Sequence, residues 1–390
     1  MNLLLTLLQN QDFLHKEATS RIRAGPESTT KSKPRPQRNR ITTMSSSNER
    51  GFASDNYSGI HPDVLAAIAK VNFGHQISYG DDETTALLAD KFRLHFGDDA
   101  HVFPVLIGTG ANVVALQAMT KPWEAVICAS SAHLHVDEGG APEKVGRLKL
   151  WTIPTLDGKL TPELIDQQAW GLGDVHRAQP AVVSITQSSE LGTIYTVDEI
   201  KAITKHAHSL GMLVHLDGAR ISNAAAALDV PFRAFTTDAG IDALSFGATK
   251  NGAMLSEAIV ILNPDLVKPI AYLRKTSMQL ASKMRFISAQ LDALLTDDLW
   301  LINANNSNQM AARLAAGVSK IQGVQIVRPV EANAVFAILP AAVTEALQKR
   351  FHFYTWDQVT SEVRWMCSWD TTADDVDTFV AAIAEEMGKN

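Results

Sequence analysis

Chemistry is first read from a lysine set among small neutral residues, in Ser245-Phe246-Gly247-Ala248-Thr249-Lys250-Asn251-Gly252. Lysines ordinarily lie on solvated faces. One held away from water at the end of an apolar run favours the neutral amine that condenses with a carbonyl. An acid follows a second apolar run, Met212–Leu216, in Asp217-Gly218-Ala219-Arg220, and a third run, Val102–Ile107, ends in Gly108-Thr109-Gly110-Ala111-Asn112. Glycines there let the backbone approach a ligand, and the free amides of a following helix suit a phosphate. Each turn has an ordinary reading when taken singly. Asp217 could cap a helix, and the glycines could be a simple strand-to-helix turn, since Val113 stands where the dinucleotide fingerprint wants a third glycine. Together they supply an anion site, a carboxylate and an amine. Those are the three requirements of pyridoxal phosphate (PLP), for its phosphate, its pyridine nitrogen and its aldehyde. The expectation is a Schiff base to Lys250 and a carboxylate, Asp217, at the ring nitrogen, making the ring an electron sink for a carbanion at a substrate Cα.

The elements that must position these residues read as an α/β fold. Asp217 and Lys250 lie 33 residues apart, room for one helical crossover between neighbouring parallel strands. Strands are expected at Val102–Ile107, Ala125–Cys128, Lys149–Ile153, Ala181–Thr186, Met212–Leu216, Ile241–Phe246 and Ala258–Leu262. They are apolar without alternation, which marks a mostly parallel seven-stranded sheet covered on both faces. In such sheets ligands bind beyond the carboxyl ends of the strands. Helices are expected at Pro62–Val71, Glu83–Phe96, Ala111–Met119 and Val197–Leu210. After Pro264 the pattern shifts to a smaller α+β unit. It holds a long helix Pro269–Leu295, another at Ser307–Ile321, strands Val324–Pro329, Ala334–Leu339 and Val363–Ser368, and helices Val343–Arg350 and Ala373–Met387. The division is a leader 1–50, a large PLP-binding unit 51–265 and a small C-terminal unit 266–390.

Composition narrows the function classes. The 390 residues are 46% hydrophobic and carry a formal charge of -7, so there is a core to build and no basic excess for nucleic acid. Two cysteines, Cys128 and Cys367, have no metal-type spacing and make no disulfide framework, which points to a reducing cytoplasm. The apolar run Leu3–Leu8 is too short to span a membrane. The basic, Pro/Ser/Thr-rich stretch from Arg21 to Arg50 cannot bury enough apolar surface to order itself. It reads either as sequence preceding a true start at Met44 or as a targeting segment.

The motifs already quoted, with Ser54-Asp55-Asn56-Tyr57-Ser58-Gly59, Tyr79-Gly80-Asp81-Asp82 and His133-Leu134-His135-Val136-Asp137-Glu138, resemble the low-specificity threonine aldolases. These belong to the β-eliminating-lyase group with the aspartate-aminotransferase fold, the PLP-dependent transferase fold type I. The resemblance runs from Phe52 to Met387 and is similar to the bacterial branch with Thr-Lys-Asn-Gly around the lysine. It implies a carbon–carbon lyase that cleaves a β-hydroxy-α-amino acid (threonine, allo-threonine or phenylserine) to glycine and an aldehyde. It implies His133 stacked on the PLP ring and serving, directly or through a water, as general base; Gly108, Thr109 and Gly110 on the phosphate; and Arg274 reaching a phosphate across a subunit interface. Ser54, Arg220 and Arg364 would grip the substrate carboxylate, with Tyr79 near the site, and sites shared between subunits imply a homodimer or homotetramer. One departure leaves the general base open: where many members carry a second histidine after the strand Ala181–Thr186, this chain has Ser189.

Rival readings are weaker. His133-x-His135-x-Asp137 resembles part of a dinuclear metallohydrolase pattern, but Glu138 stands where its last histidine would be, and no metal is expected. His135 reads as a strand-end histidine, His206 and His208 as helix surface, Trp365 and Trp369 as core or interface. Within PLP chemistry, β-elimination and transamination remain open. A scaffold without catalysis would not need the lysine, aspartate and arginines together.

Overall fold

Strands buried on both faces must send alternate side chains into two different cores, and the seven apolar runs do this. The computed structural model describes residues 50–389, so the expectations for residues 1–49, a basic leader and a start at Met44, lie outside the described residues. Strands β1 (His101–Val105), β2 (Glu124–Ala129), β3 (Lys149–Ile153), β4 (Gln179–Thr186), β5 (Leu213–Gly218), β6 (Ala243–Gly247) and β7 (Glu257–Ile261) form one sheet. Their order is β1-β7-β6-β5-β4-β2-β3. From β3 to β6 all pairs are parallel, whereas β7 is antiparallel to both β6 and β1. Ile127, Val183, Leu244 and Val260 enter one core; their neighbours Val126, Val182, Ala243 and Ile259 enter the other. The expected mostly parallel seven-stranded sheet is therefore present.

Helices α1 (Pro62–Lys70), α2 (Glu83–Phe96), α3 (Gly108–Met119), α4 (His133–Val136), α5 (Val197–Ser209) and α6 (Ile221–Leu228) accompany these strands. Proline at the first turn of α1 costs no helical hydrogen bond. A capping box, in which Thr196 and Glu199 satisfy each other's backbone amides, starts α5. Phe246 of β6 packs edge-on against Phe92 and Phe232, with centroids at 5.3 and 5.5 Å. This aromatic block anchors the strand that leads into Lys250. Phe246→Ala is expected to lower stability by about 3–5 kcal/mol through the cavity it leaves, measured by urea unfolding; a loss below about 1 kcal/mol would show that the block is not an anchor.

The later part of the chain differs in places from its pattern. The expected single helix Pro269–Leu295 is broken into α7 (Val267–Thr276) and α8 (Arg285–Leu294). Met278 takes a left-handed backbone (φ 61), and Gln279 turns inward to accept the Leu106 N–H at 3.1 Å, which a continuous helix could not do. Helix α9 (Leu299–Val318) begins eight residues before the expected Ser307, because Leu299 and Trp300 join the first core. A second, antiparallel sheet follows, with β8 (Gln325–Ile326), β9 (Ala334–Ile338), β10 (Tyr354–Asp357) and β11 (Glu362–Met366) in the order β10-β11-β9-β8. The expected strand Val324–Pro329 shrinks to two residues, and β10 had no reading of its own. Helices α10 (Ala341–Gln348) and α11 (Ala373–Met387) cover this sheet, sharing a core with Val363 and Trp365. Arg50, at the end of the expected leader, pairs with Asp370 and Asp375 at 3.1 and 3.2 Å. No helix among the described residues is long and apolar enough to cross a membrane.

Candidate active site

Because β1, β2, β4, β5 and β6 point the same way, the segments leaving their carboxyl ends gather at one edge of the sheet. A cavity of about 320 Å³ lies there. The register sets its floor: Thr186 of β4 lies beside Asp217 of β5, and Asp217 beside Ser245 of β6. Asp217 is buried and both its oxygens are held. Oδ1 accepts from the Ala219 N–H at 3.0 Å and the Ser245 hydroxyl at 3.3 Å; Oδ2 accepts from Asn112 Nδ2 at 2.8 Å. Lys250 is half-buried on the turn after β6, where Gly247 must lack a side chain because a Cβ would overlap the Ala219 backbone.

Opposite the sheet edge, α3 opens with Gly108 and Thr109 on the cavity wall. The glycines are the first residues of the helix itself, one turn before the expected start at Ala111, so their amides are the free N-terminal amides. Ile107 supplies no side-chain cap. A Cβ on Gly108 would meet no protein atom within 4 Å, which leaves a cradle open. Gly110 does not line the cavity; a side chain there would overlap Gln279, so it serves the packing of the broken helix.

His133 lies on the one-turn helix α4 and lines the cavity. Its Nδ1 is 3.0 Å from Glu138 Oε1, which also accepts from Asn112 Nδ2 at 3.0 Å. Asn112 thus ties Asp217 to the Glu138–His133 pair. The bond to Glu138 raises the imidazole pKa against the opposing effect of burial. His135 is exposed on α4, a correction to the strand-end reading, since the chain turns into a helix before it. Among the described residues no group of three or more His, Cys, Asp or Glu side chains could hold a metal.

The cavity's far wall is cationic. Arg220 gives Nε and Nη2 to buried Asp55 at 2.7 and 2.9 Å, and Asn333 also donates to Asp55 at 3.1 Å. The fork of Arg220 is therefore committed. Arg364 is not so matched. On β11, its neighbours Val363 and Trp365 enter the second core, so the alternate residue faces the cavity. Among the described residues its one hydrogen bond is a long 3.4 Å contact to the Ala53 carbonyl and Nε has no partner, while the guanidinium lies 4.7 Å from the Trp356 ring centroid. Burial and then the Arg220 charge lower its pKa, with Asp55, Asp137 and Tyr354 opposing. Ser54 lines the same wall and its hydroxyl accepts the Asn56 N–H.

Arg274 and Tyr79 lie outside the cavity wall. Arg274 donates to the Pro104 carbonyl at 3.2 Å, its Nε has no partner, and burial lowers its pKa to about 10. Tyr79 is exposed with φ 64, and Lys275 Nζ sits 4.6 Å from its ring centroid. Glu138, Glu257 and Trp356 line the cavity without having been given a site role in the sequence reading, and Glu190, which the sequence placed with Ser189 and Tyr79 near the substrate hydroxyl, lines it as well. Asn112 and Glu138 stood inside quoted motifs. Glu257 had no local signal, because it reaches this edge only by starting the reversed strand β7.

Comparison with known proteins agrees with this geometry. Residues 51–342 match the family model described as "Beta-eliminating lyase". The chain is 46% identical over 322 residues to a low specificity L-threonine aldolase of a Pseudomonas species, covering 82% of this chain and 93% of that one. It is 44% identical over 339 residues to the Pseudomonas aeruginosa low specificity L-threonine aldolase, covering 86% and 98%. A solved structure of Leishmania major threonine aldolase superposes with a TM-score of 0.82 at 30% identity, covering 86% of this chain and 99% of that one. The fold is thus PLP-dependent transferase fold type I. The open glycine cradle, the fully held Asp217 carboxylate and the Lys250 amine fit pyridoxal phosphate, which is the cofactor of this family. The chain belongs to the β-eliminating lyase family, in its group of low-specificity threonine aldolases.

Proposed function

We propose that this cavity breaks the Cα–Cβ bond of a β-hydroxy-α-amino acid, threonine, allo-threonine or phenylserine, to give glycine and an aldehyde. The observation that carries this reading is the half-buried Arg364 guanidinium, which makes no ion pair among the described residues, on the same cavity as Lys250 and Asp217. An uncompensated buried cation is costly. A substrate carboxylate supplies the missing charge and takes the guanidinium fork in two hydrogen bonds. Arg220, with its fork on Asp55, offers its remaining Nη1, and Ser54 its hydroxyl.

When bound, pyridoxal phosphate supplies a protonated conjugated ring that accepts the electron pair released at Cα. In this reading Lys250 holds the cofactor covalently and later returns a proton to Cα. Asp217 keeps the ring nitrogen protonated, the N-terminus of α3 with Gly108 and Thr109 takes the phosphate, and His133 lies against the ring. The carboxylate grip of Arg364, Arg220 and Ser54 would fix the orientation of the substrate about Cα, and so select which bond breaks. Gly110 contributes by packing, through Gln279.

Arg274 and Tyr79 are assigned to a site shared with a second copy of this chain, as a homodimer or homotetramer; the Arg274 Nε, which has no hydrogen-bond partner among the described residues, supports this. A cytoplasmic location is supported by two cysteines that are both free and buried. Burial pushes the Cys128 thiol up to about 12, so it stays a neutral packing group. The division into a large unit 51–265 and a small unit 266–390 is supported by the second sheet lying wholly after residue 324.

A product assay tests the reaction. Glycine plus an aldehyde from threonine or phenylserine is the expected result; pyruvate plus ammonia would mean β-elimination. Arg364→Ala should raise KM by about 100-fold with a smaller change in kcat, since it removes one partner of a buried charge pair. An unchanged KM would remove Arg364 from the carboxylate site.

A further inference from the structure

Cleavage of a β-hydroxy amino acid requires an acceptor for the hydroxyl proton, and the position expected to carry a histidine is occupied by Ser189. The fold does not use Ser189 for this. It is buried, and its hydroxyl is engaged with Thr193 Oγ1 at 2.6 Å. His133 is poorly suited as well. Its Nδ1 is committed to Glu138, and the same contact favours the protonated ring, which cannot accept a proton.

The next residue after Ser189 is Glu190, a half-buried carboxyl on the wall of the same cavity. Its two oxygens are treated differently. Oε1 accepts from the His133 backbone N–H at 2.8 Å and from the Thr186 hydroxyl at 3.1 Å. Oε2 is shielded from solvent and, like Glu138 Oε2, has no partner among the described residues. One oxygen therefore fixes the side chain between the end of β4 and the start of α4, while the other is left without a donor. Buried polar atoms are rarely left so without a reason.

We infer that Glu190 is the catalytic base of the cleavage, accepting the substrate's β-hydroxyl proton on Oε2. This rests on the aldolase reading of the site. The hydroxyl O–H bond breaks and its proton goes to Glu190; the O–H electron pair becomes the second bond of the aldehyde carbonyl. The Cα–Cβ bond breaks and its pair stays with Cα, which then takes one proton to give glycine. Glu190 returns its proton to solvent before the next cycle, so one proton is removed and one is delivered. In the synthetic direction the protonated carboxyl gives its proton to the aldehyde oxygen.

The surroundings suit a group that exchanges protons near neutrality. Loss of hydration pushes the Glu190 carboxyl up to about 7; the His133 N–H opposes this, and the negative charge of Asp217 adds to it. The other charged or titratable groups facing it are the Arg220 guanidinium, the Cys128 thiol and the Tyr195 phenol. A carboxyl that is half-ionised near pH 7 can both take and give a proton there. Activity should therefore rise with pH through about 7 as Glu190 ionises.

The test compares two reactions of the loaded enzyme. Exchange of the glycine Cα proton in deuterium oxide needs the cofactor, Lys250 and the carboxylate grip, but no hydroxyl. Cleavage of threonine or phenylserine needs all of these and the hydroxyl base. Glu190→Gln should keep glycine exchange within about threefold while cleavage falls roughly 10²- to 10⁴-fold and its pH limb near 7 disappears. Glu190→Asp should recover part of the cleavage and the limb. Cleavage by Glu190→Gln within threefold of the parent overturns the inference, and so does an equal loss of exchange and cleavage, which would mean a structural role. A parent enzyme that exchanges glycine but cleaves no β-hydroxy amino acid would instead overturn the aldolase reading.

Discussion

Lys250→Ala is expected to lose at least roughly 10⁴-fold in turnover, since both the covalent hold on the cofactor and a proton-transfer group disappear with one amine. The neighbourhood contains no obvious replacement. Lys250 is the one lysine on the cavity wall among the described residues, and Lys159, outside it, is engaged with Glu199 at 2.6 Å. Of the other basic groups on the wall, Arg220 and Arg364 are guanidiniums, which do not give up a proton, and the His133 imidazole is committed through Nδ1 to Glu138. Glu257 sits behind Lys250 at the start of β7; burial raises its pKa, the Lys250 charge lowers it, and it accepts the Ala248 N–H at 2.9 Å. That bond ties the lysine turn to the sheet, so removal of the Lys250 side chain should leave the turn in place. The check is borohydride reduction of the holoenzyme followed by digestion and mass spectrometry. The pyridoxyl group is expected on the peptide carrying Lys250 and absent from the variant. Full turnover by Lys250→Ala, or the label on another residue, would end this account.

Asp217→Ala should come second, with a loss of about 10³-fold in kcat and weaker retention of the cofactor. The magnitude follows from removing a fixed charge that acts on the reacting system in a site shielded from water. Four features hold that charge in place: the Ala219 amide, the Ser245 hydroxyl, the Asn112 side chain and the strand register beside Thr186. Asp217→Asn keeps the shape and removes the charge, so it should fall nearly as far as Asp217→Ala. If Asp217→Asn were nearly as active as the parent, hydrogen bonding alone would suffice and the electrostatic role would be lost. Cofactor retention after gel filtration, read from the visible absorbance, separates weak binding from slow chemistry.

The layout of the sheet and the places of Lys250, Asp217 and the Gly108–Gly110 turn were legible from local pattern. Unalternated apolar runs this short, bounded by turn residues and rich in β-branched side chains, read as strands covered on both faces, and the residue after such a strand stands at the ligand-binding edge. Where the reading missed within the chain, the cause was a distant contact: the apolar pattern of Pro269–Leu295 continues through residues 277–284, but burying Gln279 against Leu106 requires the helix to stop.

Charge matching and strand direction were not legible in the same way. Arg220 and Arg364 both stand beside apolar residues of a strand, yet one has its fork on Asp55, 165 residues earlier, and the other makes no ion pair among the described residues. Glu257 and Glu190 look like ordinary carboxylates in the chain; one reaches the cavity because β7 runs backwards, the other because a hydroxyl and an amide from two separate segments hold one of its oxygens. A sequence by itself determines which conformations its short segments prefer and where turns must fall. Which carboxylate is left with a spare oxygen, and which guanidinium with a spare charge, depends on neighbours from separate segments, 57 residues away for the amide on Glu190 and 311 for the carbonyl at Arg364, and only packing the strands and helices together decides it.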